Sequence, residues 1–390
     1  MNNLPEIDNT VGRLTGHKDE WATLRIRHKI EYLDKLKSKT DDLAERWVDA
    51  AVAAKRIPHD SPLVGEEWIS GPWALLKALS VLIRTLEALD KGQPTFDPGR
   101  VHTRPNGQVV VDVFPSSFLD RLVLSGISAQ VWMQPGVTPE NLAENTASFY
   151  RDPSPRGKVA LVLGAGNIAS IAPLDVLYKM FAEGMVCVVK MNPVNDYLGP
   201  FFEEIFASLV AAGFLGFAYG GADIGGYLVA HKEVDEVHIT GDYRTYDAIV
   251  FGSGDKGEKR RQRDEPVLSK RVTAELGNVS ATIVVPGPWS DADIAYQAEH
   301  VVTQKSHNGG FNCVAAQVLV LPEEWNRQEY FVAAVRRTMQ TIPAREPYYP
   351  GAAERQSAAI AAHPGAELLD DRASIDIPRA LITGLDPTRT

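Results

Sequence analysis

Apolar positions along the chain change rhythm twice. From about Asp19 to Lys55 they recur at helical spacing among many charges, and Glu66 to Leu89 repeats the pattern, which predicts an amphipathic N-terminal helical layer used for packing. Two short runs, "GQVVVDVFP" and "SAQVWMQP", are bounded by Gly and Pro and read as strands. From Gly157 onward compact apolar runs alternate with helical stretches: strands over 159–163, 185–190, 216–219 and 236–240, helices over 170–182, 200–212 and 223–230. Pro200 suits the first turn of its helix, where no backbone N–H is needed. Strand and helix alternating at this spacing predict a doubly wound, mostly parallel sheet. Two further strands, over 271–276 and 281–285, lead into a second region containing Cys313, and a loop followed by a helix is expected after Pro343.

Ligands of such a sheet bind at the carboxyl ends of its strands. Here those ends carry Asn167, Lys190, Gly220, Gly221 and Gly241. The stretch "VALVLGAGNIAS" contains Gly164, Gly166 and Ala169 in the G-x-G-x-x-A spacing of a dinucleotide fingerprint. That fingerprint also requires an acid at the end of the second strand, and "MVCVVK" ends in Lys190 instead. The glycines are therefore expected only to turn the chain. A second glycine pattern, 252–257, fails as a phosphate loop because Glu258-Lys259 follows where Lys-Ser/Thr is needed. The stretch between Phe251 and Arg271, mixed in charge and rich in Gly, is expected to be a solvated or mobile loop.

Composition narrows the class. With 390 residues, 44% of them hydrophobic, the chain can bury a large core. Its 40 basic and 50 acidic residues leave a net charge of −10, which disfavours nucleic acid as a partner. "MNNLPEIDNT" has no secretory signal, and "GPWALLKALSVLI" is short and carries Lys77, so no membrane span and a cytoplasmic protein are expected. Two cysteines, Cys187 and Cys313, make no disulfide framework, and nine histidines without ligand spacing give no metal site. Cys187 lies inside an apolar strand, where a thiol is inert.

The remaining residues form an ordered series. Asn167 follows the first strand, Lys190 comes 23 positions later, "HITGD" ends the fourth strand, "TAELGN" carries Glu275 and Leu276, and "NGGFNC" places Cys313 38 positions after Glu275. In this order and spacing the chain resembles the aldehyde dehydrogenase superfamily, with good continuity over residues 156–320.

The resemblance implies an aldehyde dehydrogenase-like α/β fold: a doubly wound, mostly parallel cofactor-binding sheet with a second α/β catalytic domain. The expected divisions are residues 1–104 (helical), 105–158 (bridging strands), 159–274 (cofactor-binding) and 275–390 (catalytic). The implied activity is NAD(P)-dependent oxidation of an aldehyde to a carboxylic acid. A thiolate adds to the carbonyl, the tetrahedral carbon gives up hydride to the nicotinamide, and the thioester left behind is hydrolysed. In these roles the family places Cys313 as nucleophile, Asn167 with the Cys313 backbone N–H as oxyanion donors, and Glu275 as the base that activates water. Lys190 is the implied ribose contact, assisted by Asn192. Thr240, Gly241, Asp242 and Leu276 are placed near the rest of the dinucleotide. The residues alone leave a plainer reading open for each: Cys313 as buried filler, Glu275 as a surface or salt-bridge carboxylate, Asn167 as a helix cap, Lys190 as a surface lysine and Gly241 as a turn glycine.

Departures from the family shape further expectations. Pro193 stands where many members have a ribose-binding glutamate, which leaves both NAD and NADP open. Asp242 replaces a serine and would repel a pyrophosphate unless it points away. Tyr246 and Asn278 each stand where a glycine is common, and Phe311, two before the cysteine, is expected to line a substrate tunnel. The family continues well past Thr390, so a fragment is expected, with homo-oligomerisation a property of the full-length protein. The alternatives are a CoA-acylating aldehyde dehydrogenase or acyl-CoA reductase, which Pro193 suits and Glu275 argues against, and a nucleotide-binding relative without turnover.

Overall fold

The computed structural model describes residues 4–343, 345–370 and 378–386; the chain end at Thr390 lies outside them. Its helical layer starts earlier than the sequence rhythm suggests. Helix Leu4–Thr23 precedes helix Ile26–Ala54, because Ile7, Val11 and Leu14 line one face of the polar N-terminal stretch and are buried. Val64–Trp68, a π turn at Ile69–Trp73 and Ala74–Asp90 follow. The run Val64–Asp90, 27 residues in all, is longer than expected and is long and apolar enough, by length and composition alone, to cross a membrane. In this fold it packs Leu75, Leu79 and Leu86 inward and lies against Ile26–Ala54.

Strands β1 (Val101–Thr103), β2 (Val109–Phe114) and β3 (Ala129–Trp132) form an antiparallel sheet, with a short helix, Phe118–Val123, between the last two. The β1–β2 hairpin straddles residue 104, closed by Arg104 N donating to Gln108 O at 2.9 Å.

The central sheet holds β4 (Val159–Leu163), β5 (Val186–Lys190), β6 (Leu215–Ala218), β7 (Glu236–Gly241) and β8 (Arg271–Leu276) in the order β6-β5-β4-β7-β8, all parallel. Right-handed crossovers put the helices after β4 and β5 on one face and those after β6 and β7 on the other. The first group meets the N-terminal layer, Gly199–Ile205 and Ala207–Ala211 at Ile26–Ala54 and Ile171–Leu177 at Ala74–Asp90. The expected single helix over 200–212 is thus two helices, broken at Phe206 (φ −91°, ψ 11°). On the other face Leu4–Thr23 lies beside Ala222–Ala230, where the Tyr227 hydroxyl donates to Asp8 and His231 approaches Asp8 to 3.4 Å. The order in which strands are added reverses between β4 and β7, and in such sheets a crevice opens at the carboxyl ends there.

The glycines after β4 serve close packing. Gly164 and Gly166 have no positive φ, and a Cβ on Gly166 would stand 2.7 Å from Asn192 Oδ1. The stretch between Phe251 and Arg271 is likewise not the mobile loop its charge suggests. It forms the helix Gly254–Gln262, in which Arg261 pairs with Glu258 at 2.8 Å and buried Gly257 seats the helix against Gly252 O, where a Cβ would approach to 1.9 Å.

Beyond β8 a second region builds its own core. β9 (Ser280–Ile283) pairs in parallel with β10 (Ala316–Val320), and helices Asp291–Ser306 and Gln328–Thr341 cover them. Ile294, Ala298, Val302, Phe331 and Val335 are buried among these elements, with Trp289 and Trp325 edge-on at 5.3 Å. The helix expected after Pro343 is Ala352–Ala362, followed by the two-residue pair β11 (Glu367–Leu368) and β12 (Ala380–Leu381).

Candidate active site

Asn167 sits in the turn between β4 and helix Ile171–Leu177, at the reversal of strand order. It does not cap that helix: the N-cap position is Ser170, and the Asn167 Nδ2 instead donates to Phe311 O at 2.8 Å. Phe311 belongs to the 307–313 loop, whose backbone takes left-handed values at Asn308 (φ 55°), Gly309 (φ 65°) and Gly310 (φ 80°). Two glycines and an asparagine are the residues that reach this region with least strain. The turn brings Cys313, half-buried, next to the end of β8, where Asn278 N donates to Cys313 O at 3.3 Å. Glu275 lies on that strand, exposed and opposite Thr240 in register. Asn167, Cys313 and the strand bearing Glu275 are thus joined by two hydrogen bonds across segments far apart in sequence. Cys187, by contrast, is fully buried in β5, and burial pushes its thiol pKa up, which suppresses the thiolate.

The cofactor-side residues divide into two groups. Lys190 ends β5, nearly buried, with its pKa lowered by desolvation against the opposing pull of Asp223 and Asp196. Gly241 and Leu276 face each other at the ends of β7 and β8, and a Cβ on Gly241 would touch only Ile239 of its own strand, at 3.8 Å. These three residues stand at the carboxyl ends of β5, β7 and β8. The other three have partners inside the chain. The Asn192 Oδ1 accepts from Val194 N at 3.0 Å, and the Thr240 hydroxyl donates to Asp175 at 2.9 Å beside His238. Asp242 caps helix Tyr243–Val250 and is held by Arg244 Nε and Nη2 at 2.8 and 2.9 Å; the Arg244 side chain is the main cause of its lowered pKa. Its charge is therefore neutralised at close range. Among the described residues no group of three or more His, Cys, Asp and Glu side chains is placed to hold a metal.

The Phe311 ring packs into an aromatic cluster, stacked on Tyr349 with centroids 5.6 Å apart and edge-on to Tyr348 at 5.1 Å. Behind it lies a set of residues that no local sequence pattern marks. Lys55 donates to both Glu67 oxygens at 2.9 and 2.8 Å and to Asn308 Oδ1 at 3.0 Å; Lys55, Glu67 and Asn308 are all buried. Arg345 pairs with Glu66 and, at 3.4 Å, with Glu67, and Asn308 N donates to Glu66 Oε2 at 3.0 Å. Burial lowers the Lys55 pKa, and Glu67 opposes that shift. The only sequence signal is two adjacent glutamates on an otherwise apolar helical stretch; Lys55 is 12 residues from Glu67, while Asn308 and Arg345 lie more than 240 residues from Glu66.

The fold built around the central parallel sheet agrees with comparisons to known proteins. A D-glyceraldehyde dehydrogenase (NADP(+)) from Thermoplasma acidophilum is 30% identical over 141 residues, covering 35% of this chain and 25% of that protein. An aldehyde dehydrogenase from Enchytraeus buchholzi is 24% identical over 288 residues, covering 70% and 48%. The chain thus spans a quarter to about half of the length of the curated relatives it matches. Among solved structures, an aldehyde dehydrogenase from Bartonella henselae aligns over 95% of this chain and 66% of its own, with TM-score 0.59 and 15% identity. Aldehyde dehydrogenase C from Pseudomonas syringae, complexed with NAD+ and octanal, aligns over 94% and 63%, with TM-score 0.56 and 16% identity, a likeness of fold. The model of the aldehyde dehydrogenase family matches residues 128–359, from β3 through the crevice and Cys313 to helix Ala352–Ala362, and to that family the chain belongs.

Proposed function

We propose that the chain oxidises an aldehyde to a carboxylic acid, with Cys313 as nucleophile and NAD or NADP as hydride acceptor. The observation that carries this reading is the pair of hydrogen bonds, Asn167 Nδ2 to Phe311 O and Asn278 N to Cys313 O, that ties the Cys313 loop both to Asn167 and to the segment three residues past Glu275. The Cys313 thiolate adds to the aldehyde carbon, and the carbonyl oxygen becomes an oxyanion. An asparagine amide has two hydrogens. One is committed to Phe311 O, and the other, with the Cys313 N–H, is available to receive the oxyanion. A bound nicotinamide supplies the chemistry the protein lacks, by accepting hydride from the tetrahedral carbon. Glu275, in contact with solvent, then takes a proton from water as it attacks the Cys313 thioester; the acid leaves and the thiolate is restored.

The dinucleotide site we infer is the strand-order reversal, where ligands of such sheets bind and where Lys190, Gly241 and Leu276 end their strands. The names of similar proteins support a nicotinamide nucleotide, one with NADP and one solved with NAD+.

The test is NAD(P)H formation with aliphatic and aromatic aldehydes, with and without CoA, in wild type, Cys313→Ala and Glu275→Gln. CoA-independent turnover that disappears in Cys313→Ala and stops at the thioester in Glu275→Gln is the expected result. Strict CoA dependence would replace hydrolysis by acyl transfer, and nucleotide binding without turnover would remove the enzymatic reading.

A further inference from the structure

Asn167 has a side chain that works and a backbone that is clamped. Its carbonyl oxygen accepts from Asn308 Nδ2 at 2.8 Å and from the Tyr348 hydroxyl at 2.8 Å, while its amide holds Phe311 O at 2.8 Å. Three hydrogen bonds therefore tie the turn after β4 to the 307–313 loop and to the 345–349 segment.

The clamp is anchored from below. Tyr348 also lies 3.0 Å from Asn308 Oδ1, so its single hydroxyl hydrogen is shared between that oxygen and Asn167 O. Asn308 Oδ1 in turn receives Lys55, whose charge is fixed by Glu67 and whose Nζ stands 5.2 Å from the centre of the Tyr348 ring. Burial raises the Tyr348 pKa, so the phenol stays a donor. A buried, hydrogen-bonded network that links Lys55, Glu67, Asn308, Tyr348 and Asn167 holds these residues in one arrangement.

We propose that Tyr348 and Asn308, seated on the buried Lys55–Glu67 pair, are positioning residues that lock Asn167 and the Cys313 loop in register with each other. The role in turnover rests on the dehydrogenase reading; the lock itself does not. Neither residue touches the reacting atoms. They act by fixing where the second Asn167 N–H points relative to the thiol, and a loss of that register weakens oxyanion stabilisation without weakening ground-state binding.

The test is Tyr348→Phe, which keeps the ring against Phe311 and Lys55 and removes one oxygen. A displacement of the donor by a fraction of an ångström lowers kcat roughly tenfold or more while KM for aldehyde and nucleotide stays within about twofold. An unchanged kcat, or a fall matched by a rise in KM, overturns the role in turnover. Independently of turnover, alkylation of Cys313 by iodoacetamide is followed by peptide mass, with buried Cys187 as internal reference. Loosening the loop is expected to speed alkylation about threefold or more in Tyr348→Phe, and identical rates in the variant and wild type overturn the lock. If wild type oxidises no aldehyde yet the alkylation rates differ, the dehydrogenase reading fails and the lock stands.

Discussion

The central sheet and the β9–β10 pair carry their apolar residues differently. In β5 every residue from Val186 to Lys190 is buried, and β4 is buried over Val159–Val162. In β9 and β10 exposure comes and goes along the strand, and Ile283 remains 69% exposed, as do Val279 (71%) and Val285 (74%) beside β9. Helices on both faces explain the first case, since a parallel sheet covered twice has no polar side. In the second case helices Asp291–Ser306 and Gln328–Thr341 bury one face, and among the described residues the other meets no layer. An apolar run in this sequence thus reports a strand, and only the surrounding layers determine how much it stabilises.

Substitutions can sharpen that contrast, beginning with the contact that joins the N-terminal layer to the nucleophile loop. Lys55→Met leaves Glu67 buried with only Arg345 nearby, and removing one partner of a buried pair destabilises by about 3 kcal/mol or more. Denaturant unfolding checks this, and a loss below that of an exposed pair would mean water reaches Glu67. Leu161→Ala, in the doubly covered sheet, should cost about 2–5 kcal/mol through lost burial and a cavity.

A third test uses pH. Lys29 is buried among Trp21, Phe149 and Tyr150, with its Nζ 4.6–5.2 Å from their ring centres and without a hydrogen-bond partner; desolvation lowers its pKa from 10.5 to about 7. Between about pH 7 and 10.5 the unfolded chain binds more protons at this site than the folded one. Stability therefore rises with pH across that window, by up to ~1.4 kcal/mol per unit from this group, and the penalty is complete below about pH 7. Lys29→Met should flatten that slope in unfolding free energies measured from pH 7 to 10. Equal slopes would show that the aromatic cage keeps the ammonium charged. The smallest effect is expected at Ile283→Ala, within about 0.5 kcal/mol, because the side chain is already in solvent. A loss comparable with Leu161→Ala would mean that this face is covered in solution, and the contrast between the sheets would fall.

Much of the fold is legible along the chain. The runs of β4 and β5 are apolar, those of β7 and β8 mix β-branched with polar residues, all are short and punctuated, and their observed bounds differ from the expected ones by a residue at most. Helix Gly254–Gln262 was hidden because its charges read as solvation; its i,i+3 pair and the close seating of Gly257 on Gly252 decide otherwise. Helix Leu4–Thr23 was hidden because a few well-spaced apolar residues in a polar stretch give a weak rhythm until a sheet is there to receive them.

For the site, the order and spacing of Asn167, Lys190, Glu275 and Cys313 carry the family resemblance, and that resemblance singles them out where each residue alone leaves a plainer reading open. What their neighbours do was decided in three dimensions. Asn192, Thr240 and Asp242 find partners within the chain, and Lys55, Glu66, Glu67, Arg345 and Tyr348 assemble behind Asn308. Hydrogen bonds between side chains depend on positions fixed to a few tenths of an ångström. Local periodicity sets which face of a strand or helix is apolar, but only the packing of layers sets which distant polar groups come within reach of one another.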